Sequence, residues 1–258
     1  MAAQKPVTFE ARRDDGVAVI TLNDPERRNA MGIAMFEALD EMVARVREDE
    51  ACRVVVVRGA GRVFCAGFDL AAAVERAELM ATYIQHLSHL IRALRRLPMV
   101  VIGSVHGAAL AGGCAILGGC DLVVVTPDAK LGYPVHLIGV SPAVTLPGLV
   151  AMVGPGAARR LVISGELIDG RCAYAMGLAS HLAADEASLQ MMTEELAADI
   201  AAKPPGAMRE TKQWLNRLDG SSDDGPFDAT MQASVRLSHG EEAMTMLSAF
   251  WNARTGRR

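Results

Sequence analysis

The sequence predicts an α/β fold with parallel strand pairing, followed by a helical C-terminal part. Short apolar runs typical of buried strands alternate with longer segments whose apolar residues recur at helical spacing. Strands separated by helices favour parallel pairing through crossover connections. The chain has 258 residues, of which 51% are hydrophobic, and this length suffices for one large domain. We place an α/β core over residues 1–195 and a helical region over residues 196–258.

The strands and helices of the first half follow one another in a clear order. A strand is predicted over Val17–Leu22, and Asn29 is predicted to cap a helix over 30–47 because Asn is a preferred N-cap residue. The run Arg53–Arg58 has the composition of a fully buried strand. A long helix is predicted over 71–97, where Pro98 ends it.

The second half begins with further strands and ends with helices. Strands are predicted over Met99–Val105, Leu122–Val125 and Lys130-Leu131, with a glycine-rich turn and a short helix between the first two. From about residue 142 the pattern is mainly helical, and we predict helices over Pro142–Val153, Gly156–Ser164, Gly170–Met176, Ala187–Ala202, Pro205–Arg217 and Gly240–Arg254.

Composition and charge exclude several classes of function. The net charge is −4, and no basic patch is interleaved with aromatics, so no nucleic-acid partner is expected. The five cysteines are scattered without CxxC spacing, which argues against a disulfide framework or a metal site and fits a reducing cytoplasm. No signal-peptide pattern precedes the first strand. The stretch Pro98–Cys120 lacks charged residues, but its glycines, Ser104 and His106 favour a buried strand and helix over a membrane span.

Two turns of small residues remain as candidate sites after the common motifs are tested. The run Gly59-Ala-Gly61 lacks the third glycine of a dinucleotide fingerprint, and Ser104 has no GxSxG context. The turns Cys65–Asp69 and Ala109–Cys114 each follow a buried strand. Their backbone N–H groups could converge on one oxygen, such as that of a thioester enolate, where each donor contributes about 3–4 kcal/mol. Tight strand–helix packing is an equally good explanation of both turns.

Three motifs, which occur in this order along the chain, favour the oxyanion site over simple packing. They are Leu22-Asn-Asp-Pro-Glu-Arg-Arg-Asn-Ala-Met31, Gly59-Ala-Gly-Arg-Val-Phe-Cys-Ala-Gly-Phe-Asp-Leu70 and Val105-His-Gly-Ala-Ala-Leu-Ala-Gly-Gly-Cys114. Together they closely resemble the enoyl-CoA hydratase/isomerase (crotonase) family, and the resemblance covers essentially the whole chain. It implies a crotonase-like spiral of ββα units, a helical C-terminal trimerisation region, and assembly as a trimer or hexamer. It also implies a CoA-thioester ligand and no further cofactor.

The resemblance also implies a set of site residues. The oxyanion donors would be the backbone N–H groups of Ala66 and Gly112. The segment Ala66, Gly67, Phe68, Asp69 and Leu70 would line the acyl and adenine-binding pocket, with Asp69 as a helix cap. Arg27 or Arg28 would meet the CoA phosphates, although an exposed solubilising arginine explains either residue equally well.

The chain departs from the family where proton transfer is carried out. Hydratases of this family place one glutamate after the Gly-Gly-Cys run and a second in a Gly-x-Pro-Glu segment, and here Ala115 and Val135 stand at those positions. A third acid used by some relatives falls near Ala143. A positioned acid or base contributes about 10²–10⁴-fold, so efficient two-glutamate hydration is not expected.

Other side chains are candidate substitutes for the missing acids. Tyr133 and His136 flank Val135, and in an extended loop Tyr133 would share its direction. Tyr83, His86 and His89 lie on the predicted long helix, where they would either approach the acyl end of the pocket or simply pack.

The resulting functional prediction is a lyase or isomerase of the crotonase family in fatty-acid-type metabolism. It would bind an acyl- or enoyl-CoA and stabilise the thioester enolate with non-standard acid and base residues. Hydration, decarboxylation and C–C cleavage stay open, because loss of CO₂ creates an enolate without a carboxylate base. The alternative is a catalytically inactive acyl-CoA-binding protein of the same fold.

Overall fold

A six-stranded sheet forms the centre of the molecule. The computed structural model describes residues 5–12 and 14–256, so residues 1–4, where no signal-peptide pattern was found, lie outside it. In spatial order the strands are β1 (Val7–Arg12), β2 (Val17–Leu22), β3 (Val54–Gly59), β4 (Val100–Val105), β6 (Leu122–Val125) and β9 (His181–Leu182). The β1–β2 pair is antiparallel and the other pairs are parallel. A second sheet contains β5 (Ala108–Leu110), β7 (Lys130–Gly132) and β8 (Ile168–Asp169).

Helices cover the sheet and continue to the end of the described chain. They are α1 (Ile33–Glu48), α2 (Leu70–Glu75), α3 (Glu78–Arg95), α4 (Gly112–Ala115), α5 (Leu146–Ser164), α6 (Gly170–Ala175), α7 (Glu186–Ala201), α8 (Pro205–Leu218), α9 (Asp224–Ser238) and α10 (Glu241–Thr255). Single 3₁₀ turns span Pro25–Arg27, Ile116–Gly119, Pro134–Ile138 and Pro142–Thr145.

The strands are apolar throughout because both faces of the sheet are covered. On β2, Ala18 and Ile20 belong to the large core shared with α1 and α3, whereas Val17 and Val19 belong to a smaller core under α7. Alternate side chains of a strand point to opposite faces, so a doubly covered strand reads as a continuous apolar run. The buried runs in the sequence are therefore explained by this two-sided packing.

The α/β class and the parallel pairing are confirmed, while several helix boundaries are wrong. The predicted helix over 71–97 is two helices, because Arg76 has extended dihedral angles between α2 and α3. Helix α9 was not predicted. The two helices predicted between residues 142 and 164 are confirmed as the two parts of α5, which is interrupted at Gly154, where φ is 74°; only Pro142–Thr145 differs, because it forms a 3₁₀ turn.

Two stretches have the length and composition of a membrane span. Pro98–Cys120 forms the fully buried strand β4 and the buried helix α4, as predicted. Among the described residues, Pro142–Ser164 is also long and apolar enough. It is interrupted at Gly154, and Leu149 and Leu161 are buried against the core.

Candidate active site

A buried asparagine holds the first of the two turns in place. The side-chain amide of Asn29 donates to the carbonyl oxygens of Ala60 (2.9 Å), Val63 (2.9 Å) and Phe64 (3.0 Å). Its Oδ1 accepts from the backbone N–H of Asp24 at 2.9 Å. The prediction that Asn29 caps the first helix is therefore wrong: its side chain fastens the turn, and Gly32 occupies the N-cap of α1.

The direction of the backbone N–H groups in this turn decides which of them is available to a ligand. Met31 N–H donates to Gly67 O at 2.8 Å, and Asp69 N–H donates to Met31 O at 3.0 Å. This is a parallel bridge centred on Phe68, so the N–H of Phe68 points away from Met31. Among residues 5–12 and 14–256, no acceptor is recorded for the Phe68 N–H.

The predicted donor Ala66 must be corrected. Its N–H donates to the carbonyl oxygen of Arg28 at 3.0 Å. Gly67, with φ of 98°, changes the chain direction between Ala66 and Phe68. As a result Ala66 N–H faces the neighbouring backbone and Phe68 N–H faces the other way. The spacing of small residues in the sequence carries no information on this direction.

The second turn supplies another available N–H at Gly112. Gly112 is the first residue of α4, where a backbone N–H has no partner within the helix. The preceding Ala111 has φ of 51° and ψ of −117°, an unusual conformation for a residue with a side chain, and its N–H donates to Gly132 O at 2.8 Å. Strain of this kind is found at functional sites.

The two turns touch each other. A Cβ atom on Gly67 would lie 3.0 Å from Leu110 O and 3.7 Å from Gly112 N. A Cβ atom on Gly112 would lie 2.9 Å from Cε1 of Phe68. Phe68 and Gly112 therefore lie side by side, and within the part of the chain that the structure describes neither N–H has a recorded acceptor.

An apolar cavity of about 140 Å³ opens beside these two residues. The side chains around it are mostly aliphatic, and they come from α3, the 3₁₀ turns after β7, and α10. The polar ones are Tyr133, Ser141, Thr145 and Arg254. No carboxylate or imidazole belongs to the described lining, which consists of Ala66, Phe68, Leu70, Met80, Ile84, Leu87, Leu110, Ala111, Gly112, Tyr133, Pro134, Val135, Ile138, Val140, Ser141, Pro142, Val144, Thr145, Phe250 and Arg254.

The two positions at which the sequence resemblance places glutamate are apolar here. Val135 lines the cavity. Ala115 is 1% exposed and lies three residues after Gly112 on the helical turn, so both residues share a face. Neither side chain can transfer a proton.

Tyr133 faces the cavity, as the sequence allowed. Its side chain is 2% exposed, and burial raises the pKa of its phenol well above the usual value. The phenol interacts with the buried thiol of Cys114, whose pKa burial raises to about 11. Tyr133 is thus a neutral phenol at physiological pH and is able to donate a proton.

His136 does not face the cavity, which corrects its prediction as a substitute acid. Residues Pro134–Ile138 form a 3₁₀ turn and not an extended loop. In this turn Val135 and Ile138 point into the cavity, while His136 is exposed and lies beside Gly165.

The aromatic and histidine residues of α3 belong to packing and surface contacts. The ring of Tyr83 is buried 5.5 Å from the ring of Phe68. Asp40 on α1 faces His86 Nδ1 at 3.5 Å and His89 Nε2 at 4.0 Å. The interpretation of these side chains as packing or surface residues is the correct one.

The structure also places the other residues that were predicted to belong to the site. Asp69 caps α2 by accepting from Ala72 N–H at 3.3 Å, as predicted, and it also pairs with the guanidinium of Arg27. Leu70 lines the cavity, and the side chain of Arg28 is exposed at the surface.

Comparisons with known proteins agree with this architecture. Residues 12–250 match the family model described as enoyl-CoA hydratase/isomerase. The chain is 34% identical to a Thermus thermophilus protein provisionally named enoyl-CoA hydratase, over 93% of this chain and 96% of that protein. It is 30% identical to the 2,3-dehydroadipyl-CoA hydratase of Escherichia coli, over 94% and 95% of the two chains. The crystal structure of an enoyl-CoA hydratase/isomerase from Xanthobacter autotrophicus superposes with a TM-score of 0.87 at 27% identity and covers 98% of this chain and 94% of its own.

Proposed function

Because the chain belongs to the enoyl-CoA hydratase/isomerase family, whose members act on CoA thioesters, we propose that Phe68 and Gly112 form its oxyanion hole. The observation that carries the proposal is the pair of available N–H groups beside an apolar cavity. A thioester oxygen between them gains charge as an enolate forms, and each donor stabilises that charge by about 3–4 kcal/mol. The acyl group then lies in the aliphatic cavity.

The reaction we propose needs no carboxylate base. In a thioester with a carboxylate on its α-carbon, the electrons of the breaking C–C bond enter the enolate as CO₂ leaves. The α-carbon then takes a proton from the phenol of Tyr133, and solvent returns a proton to the phenolate. An aliphatic lining supports this step, because it solvates the starting carboxylate poorly and the neutral CO₂ well. The class is a decarboxylase-type lyase that acts on CoA thioesters.

A second candidate function is acyl-CoA binding without turnover. It is favoured by the absence of carboxylates and imidazoles from the described lining and by the high pKa of Tyr133. A positioned acid or base contributes about 10²–10⁴-fold, so a site whose only acid is a weak one retains binding and polarisation of the carbonyl.

A panel of substrates separates these functions. The protein is incubated with malonyl-, methylmalonyl- and crotonyl-CoA, and products are followed by mass spectrometry. We expect decarboxylation that falls about 10²-fold or more in Tyr133→Phe, with Tyr174→Phe as a control on a side chain 49% exposed at the surface. Binding of thioesters without any product supports the binding protein instead. Fast hydration of crotonyl-CoA that survives Tyr133→Phe contradicts both.

Assembly and location complete the proposal. We propose a trimer or hexamer, supported by apolar side chains that are exposed on α8, with Leu218 at 79% and Leu215 at 57%. Arg28 is proposed to contact the CoA phosphates. Light scattering after size exclusion tests the assembly, and a monomer at micromolar concentration would contradict it. A cytoplasmic location fits the five free cysteines.

A further inference from the structure

The loop between the 3₁₀ turns Pro134–Ile138 and Pro142–Thr145 is held rigidly against the cavity. Ser234 of α9, which is fully buried, donates its hydroxyl to Ser141 O at 2.9 Å and accepts from Val144 N–H at 2.9 Å. The hydroxyl of Thr145 donates to Pro142 O at 2.8 Å. Three hydrogen bonds therefore fix the backbone that presents Ser141 to the cavity.

The side chain of Ser141 belongs to the lining of the cavity and carries a hydroxyl group. Its Oγ accepts from Ala143 N–H at 3.2 Å, but within residues 5–12 and 14–256 no acceptor is recorded for its O–H. The hydroxyl of Thr145 already donates to Pro142 O, and the phenol of Tyr133 is the proton donor of the proposed reaction. The immediate neighbours Val140 and Pro142 also line the cavity and are apolar.

Arg254, near the C-terminal end of α10, is another donor in the lining. Gly139, two residues before Ser141, packs on Ala243 of the same helix, where a Cβ atom on the glycine would lie 2.7 Å from the Cα of Ala243. Arg254 is therefore an alternative donor to Ser141, and the experiment below distinguishes the two.

On the basis of the proposed function, we infer that the acyl group of the substrate carries an oxygen acceptor and that Ser141 Oγ–H recognises it. A hydrocarbon chain in this cavity removes water from the hydroxyl and returns no hydrogen bond, whereas a keto or carboxylate oxygen accepts its hydrogen. A site built to hydrogen-bond an oxygen discriminates against the analogue that lacks it. Ser141 is thereby a specificity residue.

Three four-carbon thioesters test the inference: butyryl-CoA, acetoacetyl-CoA and succinyl-CoA, titrated calorimetrically into the full chain. We expect at least one oxygenated thioester to bind about 3–10-fold more tightly than butyryl-CoA, as one hydrogen bond allows. Ser141→Ala removes this preference, so that the three thioesters bind alike, and Ser141→Thr keeps it. The acetoacetyl and succinyl arms distinguish a keto from a carboxylate oxygen.

Thr145→Val is the matched control, because it deletes a hydroxyl of the same cavity whose hydrogen is already bonded within the loop. It should change the affinity for all three thioesters alike. If Ser141→Ala does not fold, Ser141→Gly replaces it, since glycine is tolerated at a helical N-cap. Equal affinities in the unmodified protein overturn the inference, as does a preference that survives loss of the hydroxyl, which would point to Arg254 or Tyr133. Failure of every thioester to bind overturns the proposed function as well.

Discussion

Removal of the Gly112 N–H is the most direct test of the oxyanion hole. Gly112→Pro deletes this donor, and Gly112→Ala keeps it while adding the same Cβ atom. That atom would lie 2.8 Å from Cε of Met31 and 2.9 Å from Cε1 of Phe68 in both variants. Both contacts are with side-chain atoms, and overpacking of this kind costs about 1–3 kcal/mol. The difference between the variants therefore reports on the N–H group.

The expected magnitude follows from the role of the donor. Loss of one oxyanion donor costs about 10²–10³-fold in rate, or about 2.7–4 kcal/mol. Proline also restricts the preceding residue to extended dihedral angles, and Ala111 has ψ of −117°. We therefore expect Gly112→Pro to be less stable than Gly112→Ala, and thermal unfolding must show that each variant is folded at the assay temperature.

The assay does not depend on turnover. Cinnamoyl-CoA has a thioester carbonyl conjugated to an aromatic ring, so polarisation of the carbonyl oxygen shifts its absorption to longer wavelength. We expect this red shift on binding to the unmodified protein and to Gly112→Ala, and its loss in folded Gly112→Pro. If Gly112→Pro retains the full shift, the Gly112 N–H does not contact the carbonyl oxygen and the site assignment is wrong.

Further predictions concern the chemistry, the scaffold and the thiols. Val135→Glu places a carboxylate in the cavity and should raise hydration of crotonyl-CoA by about 10²-fold or more, whereas Leu137→Glu, at a position 60% exposed, should give no gain. Asn29→Ala removes the amide that satisfies three carbonyl groups. It should lower the free energy of unfolding in urea by at least about 2 kcal/mol. A smaller loss would show that the turn keeps its conformation without these hydrogen bonds. Burial raises the pKa of Cys65 and of Cys120 to about 12. These thiolates form only as pH approaches that value, so Ellman's reagent at pH 8 should label at most the two partly buried cysteines before unfolding, and all five after it.

Much of the fold was predictable because the burial of a strand or helix determines how its apolar residues are spaced along the sequence. The strands β2 and β3 have apolar side chains on both faces, and that pattern is legible in the sequence. Helix α9 was missed because Gly225 and Pro226, which usually mark turns, lie in its first turn. The break at Arg76 was missed because helical spacing of apolar residues continues across it.

The candidate site was predictable in position but not in detail. The glycine-rich turns located the cavity, and the apolar residues Ala115 and Val135 agree with a described lining that holds no carboxylate. The direction of an N–H group depends on dihedral angles, such as the positive φ of Gly67, and no spacing rule supplies it. For the same reason the orientation of His136 depended on whether its loop was extended or helical.

The geometry makes the proposed oxyanion hole independent of the side chains at positions 115 and 135. The oxyanion N–H groups are backbone atoms, and the close approach of their turns requires glycine, since a Cβ atom on Gly113 would lie 2.5 Å from Cys65 O. Ala115 and Val135, by contrast, are ordinary packing positions whose side chains hold neither turn in place. Substitution of Ala115 or Val135 therefore changes proton transfer without moving the backbone N–H donors. Binding and polarisation of a thioester are thus separable from acid–base chemistry in this fold, and Val135→Glu should alter the second without loss of the first.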